Sequence, residues 1–226
     1  MAQTRALVVA ALLAAVLAAA ASAAPGDPKL RHTPAGEVAA AKVLVRRADL
    51  GKGWKATPAP PASTGSSVCK GLRPNLSDLV ERGRAIAPTF TLGQLATVTQ
   101  SVRVFATRAQ AATAWQRTDS LDLVLCLERQ LRSATFAKAT VKPVGRFRLD
   151  LGRPTAHTDG LRVVAAVSPT DEAPFRVYAD VLVLGRGTTL TTVTFLGFVQ
   201  PVNDALERRI ARTLAQRLGA KSSLVG

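Results

Sequence analysis

Apolar and polar residues alternate along several segments of the chain. In "LATVTQSVRVFA", Val98, Val102 and Val104 fall on one side, while threonine, serine and arginine occupy the other. Successive side chains of a strand point to opposite faces, so this pattern predicts a strand with one buried and one solvated face. The same pattern predicts strands in "RFRLDL", "LRVVAAV", "PFRVYADVLVLG" and "LTTVTFLGF", the last two as a hairpin, with a weaker strand in "GRAIAPTFTL".

Other segments repeat their apolar residues with the helical period. Residues 37–49 carry one apolar stripe and predict a short helix that ends at the glycines of "LGKGW". Thr107 has the chemistry of an N-cap for a second helix, with a break near residues 118–120. A last helix begins near residues 201–203, and its apolar face carries Leu206, Ile210, Leu214 and Leu218. Together these elements predict an α+β fold, an antiparallel sheet of about six strands flanked by three to four helices.

The first 24 residues have the pattern of a secretory signal peptide. Arg5 precedes an apolar run from Ala6 to Ala21, and Ala21-Ser22-Ala23 fits the A-x-A cleavage pattern. The run of about 16 residues is short of the ~20 that span a bilayer, so we expect export with no transmembrane anchor after cleavage. Beyond residues 1–24, the sequence predicts a flexible tether at residues 25–36, a single α+β domain at residues 37–219 and a tail at residues 220–226.

The chain has two cysteines, Cys69 and Cys126. In an oxidising, exported compartment an even pair is most simply one disulfide. A zinc site needs about four ligands, and the two histidines, His32 and His157, fall in segments predicted to be loops. A catalytic cysteine needs a thiolate, which a bridged sulfur does not offer. We therefore predict a structural disulfide and neither a metal site nor a cofactor, with nucleophile and metal ligand as the alternatives for these sulfurs.

The chain is strongly basic, with a formal net charge of +15 and a pI near 11.3. Such an excess favours contact with polyanions, while export and an aromatic content of 4% argue against nucleic acid as the partner. The polar face of the last helix carries four basic residues, Arg208, Arg209, Arg212 and Arg217. The arginine-rich composition favours a solvated helix face, and the alternative is contact of these four residues with anionic cell-envelope polymers.

Trp54 and the loop that carries Cys69 predict a ligand cleft, because binding residues concentrate on loops held by a rigid scaffold. The alternative for Trp54 is a place in the core. Asp150 and Asp180 alternate with arginines on a face predicted to be wet, and no nucleophile–base spacing is present. We therefore predict a secreted or extracellular, non-catalytic binding or sensor-like module, whose partner is a small apolar ligand or an anionic polymer. The alternatives are a cell-envelope-associated protein held by its basic surface and a hydrolase with an unrecognised acidic site.

Several stretches resemble a group of exported actinobacterial proteins. These stretches are "ADLGKGW" after the first helix, "SVRVFATRAQAATAW", "CLERQL" and the hairpin "YADVLVLGRGTTLTTVTFLG". The group includes extracellular sensor-type domains of serine/threonine kinases and small lipoproteins with a fold of the Mog1p/PsbP type. The resemblance implies an antiparallel sheet flanked by helices, a disulfide between a loop and a helix, and ligand sensing in a cleft. The chain departs from the group in having no lipobox cysteine and a single cysteine pair.

Overall fold

The computed structural model describes residues 26–59, 74–118, 125, 129, 139–169 and 173–219. The described strands are β1 (Lys29–Leu30), β2 (Lys55–Thr57), β3 (Val80–Ile86), β4 (Thr89–Leu92), β5 (Ala96–Phe105), β6 (Ala139–Arg148), β7 (His157–Pro169), β8 (Phe175–Arg186) and β9 (Thr189–Phe198). The described helices are α1 (Pro34–Lys42), α2 (Arg47–Leu50), α3 (Arg108–Arg117) and α4 (Asp204–Gly219). The predicted α+β class is confirmed. The single strand predicted in "GRAIAPTFTL" is two strands, β3 and β4, and the short strands β1 and β2 extend the predicted sheet of about six. The predicted signal peptide, Cys69, Cys126 and the tail lie outside the described residues.

One sheet contains all of the described strands. Its order is β1-β3-β5-β9-β8-β7-β6, with β4 on β5 and β2 on β4. The pairings are antiparallel except that of β1 with β3. The predicted hairpin joins β8 and β9, where Arg186 pairs with Thr189. Gly187 has a φ of 63° in the connection, and a tight hairpin turn of this kind favours glycine because it needs a positive φ.

The alternation of the strands separates two apolar faces. The first packs against α1, α2 and α4 and holds Val98, Val102, Leu182, Leu184 and Phe195, together with Ile210 and Leu214 of α4. The second face holds Val163, Val177, Val181 and Val183. Burial of these side chains away from water is the main force that stabilises the sheet and its helices. The valines of "PFRVYADVLVLG" lie in the core on the second face, and the apolar residues of the last helix lie in the core on the first face.

Residues 37–49, predicted as one helix, belong to two helices, α1 and α2, with an irregular segment between them. In that segment the N–H of Val45 donates to Oε1 of Gln100 at 2.5 Å, and Nε2 of Gln100 donates to the carbonyl oxygen of Val43 at 3.2 Å. Gln100 comes from β5 and is buried. The prediction of one helix was wrong because a distant side chain supplies backbone partners that a continuous helix would supply itself.

We expect Gln100→Leu to lower the free energy of unfolding by about 2–3 kcal/mol, because it leaves the N–H of Val45 and the carbonyl of Val43 buried without partners. Urea denaturation of the two proteins measures the difference. Gln116→Leu, at an exposed glutamine of α3, is the matched control. Equal losses in the two variants would contradict the role given to Gln100.

Part of the predicted tether at residues 25–36 has regular structure. The N–H of Lys29 donates to the carbonyl of Leu79 at 2.8 Å, which places β1 beside β3. The start of α1 approaches β3 so closely that a Cβ built on Gly83 would lie 2.1 Å from the carbonyl carbon of Gly36. Only glycine fits such a contact between two backbones. An edge strand and a helix start therefore replace the predicted tether over residues 29–36.

Candidate functional site

A cavity of about 520 Å³ lies between one end of the sheet and α4. It is bordered by β6, β7, β8, the segment that follows β6, and the first turns of α4. The bordering residues are Val144, Phe147, Arg148, Leu149, Asp150, Leu151, Arg162, Val164, Arg176, Tyr178, Asp204, Glu207 and Arg208. Its volume is within the ~300–1,000 Å³ of small-molecule pockets. This concavity is the candidate site in the described part of the chain.

The register of the sheet brings the floor of the cavity together. Phe147 of β6 pairs with Arg162 of β7, and Val164 of β7 pairs with Tyr178 of β8. Residues two apart on a strand point the same way, so Arg162 and Val164 both face the cavity. Phe147 is 56% exposed and its neighbour Val144 is 55% exposed. The cavity therefore has an apolar rim that is open to solvent.

Arg162 connects the sheet with α4. Its Nε and Nη2 donate to the two carboxylate oxygens of Asp180 on β8 at 2.7 and 2.9 Å. Its Nη2 also donates to Oδ1 of Asp204 at 2.9 Å and lies 3.5 Å from Oε1 of Glu207. The hydrogen bonds that Arg162 donates to Asp180 raise the pKa of Arg162 above its usual value, so the guanidinium is charged at any pH the protein meets. One cation thus joins two strands to the first turn of the helix.

Glu207 is a buried carboxyl group in the first turn of α4, with 1% of its surface exposed. Burial, followed by a hydrogen bond with Asp180, raises the pKa of Glu207 to about 10, although the nearby charge of Arg162 opposes this shift. Burial and the contact with Asp180, which is itself fully buried, therefore favour the neutral form of Glu207 at neutral pH. The helix is held to the sheet by a charged guanidinium and a neutral carboxyl group.

The buried carboxyl groups of Asp180 and Glu207 are poorly placed to transfer a proton to a molecule in the cavity. A general acid must come within hydrogen-bond distance of its substrate, and neither Asp180 nor Glu207 is more than 1% exposed. Their carboxyl groups are already engaged with Arg162 and with each other. In the described part of the chain, the cluster therefore serves as a rigid wall of the cavity.

Two other guanidinium groups border the cavity. Arg176 of β8 is exposed, and Arg208 of α4 is half-buried. Within the described ranges, neither side chain has an ion-pair or hydrogen-bond partner. Arg148 differs, because its Nη1 lies 3.6 Å from Oδ1 of Asp159. The cavity thus combines an apolar rim with two positive charges that no described side chain neutralises.

No protein-family model and no curated protein matches this chain. Among solved structures, it is similar to the crystal structure of the extracellular domain of PknH from Mycobacterium tuberculosis, with 13% sequence identity and a TM-score of 0.42. The match covers 82% of this chain and 97% of that one. At this identity and TM-score, the likeness assigns neither a fold family nor a function.

None of the helices in the described ranges is long and apolar enough to cross a membrane. Among the described side chains, no group of three or more histidine, cysteine, aspartate or glutamate residues is placed to hold a metal ion. Neither finding bears on residues outside those ranges, where both cysteines lie.

Trp54, the predicted cleft residue, lies in the main core. It is 5% exposed, packs with the apolar residues of the first face and does not border the cavity. This position matches the alternative considered for Trp54, a core residue.

The two cysteines of the predicted disulfide, Cys69 and Cys126, are outside the described residues, and their pairing stays a prediction.

The four arginines predicted to contact anionic polymers have three different surroundings. Arg208 borders the cavity, and Arg209 and Arg212 are exposed on α4. Arg217 instead donates from both Nη atoms to the carboxylate of Asp49 at 2.8 Å, and from Nη1 to the carbonyl of Leu44 at 2.6 Å. Arg217 therefore fixes α4 to the segment around α2, and the exposed basic face of the helix is smaller than predicted.

Sequence reasoning missed Arg162 and Glu207 and placed Asp180 on a wet face. The placement of Asp180 was wrong, because this acid is fully buried, as is Glu207. A signal for each acid was present in the pattern. Asp180 is two residues before Leu182, so both share one face of β8, and Glu207 is three residues before Ile210 on the buried stripe of α4. An acid in the apolar phase of its element indicates a buried, partnered group.

Proposed function

We propose that this chain is a secreted, non-catalytic binding module that takes a small ligand with an apolar body into the cavity between the sheet and α4. The observation that carries the proposal is the rim of Phe147 and Val144, two large apolar side chains more than half exposed around a cavity of about 520 Å³. Solvent-open apolar groups around a concavity, with a few charged groups among them, are typical of ligand sites.

The groups that join α4 to the sheet support this function. Arg162, Asp180 and Glu207 hold α4 against the sheet through buried, charge-assisted hydrogen bonds. A site that is formed before the ligand arrives loses less conformational entropy on binding. A hydrolase would need a pair of carboxyl groups accessible to its substrate, but Glu207 is 1% exposed and Asp204 is engaged by Arg162, so binding fits the geometry better.

The test is binding of Nile red, a neutral dye that fluoresces in apolar surroundings. We expect saturable binding to the wild-type protein and about tenfold weaker binding to Phe147→Ala, since one lost aromatic contact of about 1.4 kcal/mol is tenfold in affinity. Val164→Phe fills the cavity from its floor and should abolish binding. Leu95→Ala is the matched control, because Leu95 is 51% exposed but lies outside the cavity.

The proposal fails if Phe147→Ala and Val164→Phe bind the dye as the wild type and Leu95→Ala do. Circular dichroism of each variant establishes that it is folded, so that loss of the dye is assigned to the cavity. Mass spectrometry under native conditions, on protein purified from its own host, provides a second readout. A small molecule carried by the wild type and absent from Val164→Phe would support the same site.

The proposal includes two predictions from the sequence that concern residues outside the described ranges. We expect export through the signal peptide of residues 1–24, and a disulfide between Cys69 and Cys126. Contact of the exposed Arg209 and Arg212 with anionic cell-envelope polymers also stays a prediction, and it is compatible with ligand binding in the cavity, which those two residues do not border.

A further inference from the structure

We infer that the ligand of the cavity is an organic anion with an apolar body, such as an alkyl carboxylate or an alkyl phosphate. This inference rests on the proposed function, because it names the chemical class of the molecule that the same cavity binds. It is carried by the placement of charged and apolar groups around the cavity.

Positive groups outnumber negative ones at the border. Four guanidinium groups border the cavity, those of Arg148, Arg162, Arg176 and Arg208. Arg162 is engaged by Asp180, Asp204 and Glu207, and Arg148 lies near Asp159. In the part of the chain that the structure describes, Arg176 and Arg208 have no such partners. No acid in the described ranges therefore competes with a negative group of the ligand for these two arginines.

Among the described residues, none of the acids at the border forms an ion pair with Arg176 or Arg208. Asp204 accepts a hydrogen bond from Arg162, and Asp150 is exposed, where water screens its charge. Burial and the contact with Asp180 raise the pKa of Glu207, which favours its neutral form. Arg208 is half-buried, so its attraction for an anion in the cavity is screened less by water than that of a fully exposed arginine.

The apolar residues at the border favour a ligand with an apolar body, because a small inorganic anion would leave their surface uncovered. Phe147, Val144, Leu149 and Val164 border the same space as Arg176 and Arg208. An apolar body on these side chains removes their surface from water, which stabilises the complex in proportion to the area covered. A ligand with both an apolar body and an anionic group uses both kinds of border, whereas inorganic phosphate uses one.

The test is displacement of Nile red by four eight-carbon probes that share an apolar body: octanoate, octyl phosphate, 1-octanol and octyltrimethylammonium. We expect the two anions to displace the dye at concentrations at least about tenfold lower than 1-octanol, and the cation to be the weakest. Inorganic phosphate alone should not displace it. A stronger effect of octyl phosphate than of octanoate would assign the ligand a phosphate, and the reverse would assign it a carboxylate.

Three charge variants assign the preference to the cavity. Arg176→Gln and Arg208→Gln should each lower the ratio of the affinities for octanoate and 1-octanol several-fold. Arg212→Gln, an exposed arginine of the same helix that does not border the cavity, should leave the ratio unchanged. Circular dichroism verifies that each variant is folded.

The inference is overturned if 1-octanol competes as well as octanoate, if inorganic phosphate competes as well as octyl phosphate, or if Arg212→Gln lowers the ratio as much as the two cavity variants. In each of these cases dye binding that is sensitive to Phe147→Ala still supports the proposed function. Dye binding that is insensitive to Phe147→Ala and Val164→Phe would instead overturn the proposed function itself.

Discussion

Replacing Arg162 with methionine should lower the free energy of unfolding by about 3–5 kcal/mol, because it leaves buried acids without their cation. Asp180 is fully buried and would lose the hydrogen bonds from Nε and Nη2. Methionine fills much of the volume of the arginine side chain, so the loss is chiefly that of charge and hydrogen bonds. Urea denaturation at pH 7, with circular dichroism as the probe, measures the change.

Arg117 gives the matched control for this prediction. Its guanidinium also contacts both oxygens of one carboxylate, that of Asp78, with Nη2 and Oδ2 3.0 Å apart. Both of these side chains are exposed, so water screens the pair and Arg117→Met should cost far less. The double variant Arg162→Met/Asp180→Leu removes the stranded carboxylate and should recover part of the loss. Equal losses for Arg162→Met and Arg117→Met would contradict the role of Arg162.

The strands were predictable because their signal is local. The alternation of "LATVTQSVRVFA" requires only that one face be buried, and Val98, Val102 and Val104 do fall in the main core. The start of the last helix was also readable, since Asn203 accepts from the N–H of Ala205 at 2.8 Å with the chemistry of a helix cap. Fold class and most element positions therefore follow from short-range patterns.

The features that the sequence did not predict depend on contacts between distant residues. The helix predicted at residues 37–49 is interrupted by Gln100 from β5, and the segment predicted as a tether pairs with β3. The residues within either segment do not indicate that Gln100 or β3 will be its hydrogen-bond partner. The ion pair between Arg217 and Asp49 was not predicted for the same reason, because the two residues are far apart in the chain.

The candidate site was missed for the same reason. Arg162 and Asp180 become neighbours through the register of β7 and β8, and Glu207 joins them only when α4 packs on the sheet. The sequence gives the charge of each residue, but not the burial that changes its role. Of the site residues predicted from the sequence, Arg208 borders the cavity because it extends from the same turn of α4 as Glu207.

Replacing Glu207 with glutamine should change how stability depends on pH. In the folded protein the pKa of Glu207 is raised to about 10 from its ordinary value of 4.5. Between these values the folded state binds a proton that the unfolded chain has released. The stability that this group contributes is therefore fully present below pH 4.5 and is lost as the pH rises toward 10, by up to about 1.4 kcal/mol per pH unit.

The glutamine amide of Glu207→Gln can donate to Asp180 and accept from Arg162 in the same geometry, but it has no proton to lose. We expect the variant and the wild type to be similarly stable near pH 5, and the variant to be increasingly more stable toward pH 9 in urea denaturation. Asp150→Asn, at an exposed aspartate with no ion pair among the described residues, should follow the wild type throughout.

Parallel stability curves for the wild type and Glu207→Gln would mean that Glu207 is ionised at neutral pH. Its negative charge would then partly neutralise the positive border of the cavity, next to Arg208. Diverging curves would mean that the wall of the cavity is held by a neutral carboxyl group, and that the charges of Arg176 and Arg208 are left for the ligand. The stability measurement thus tests the electrostatic basis of anion binding without any ligand present.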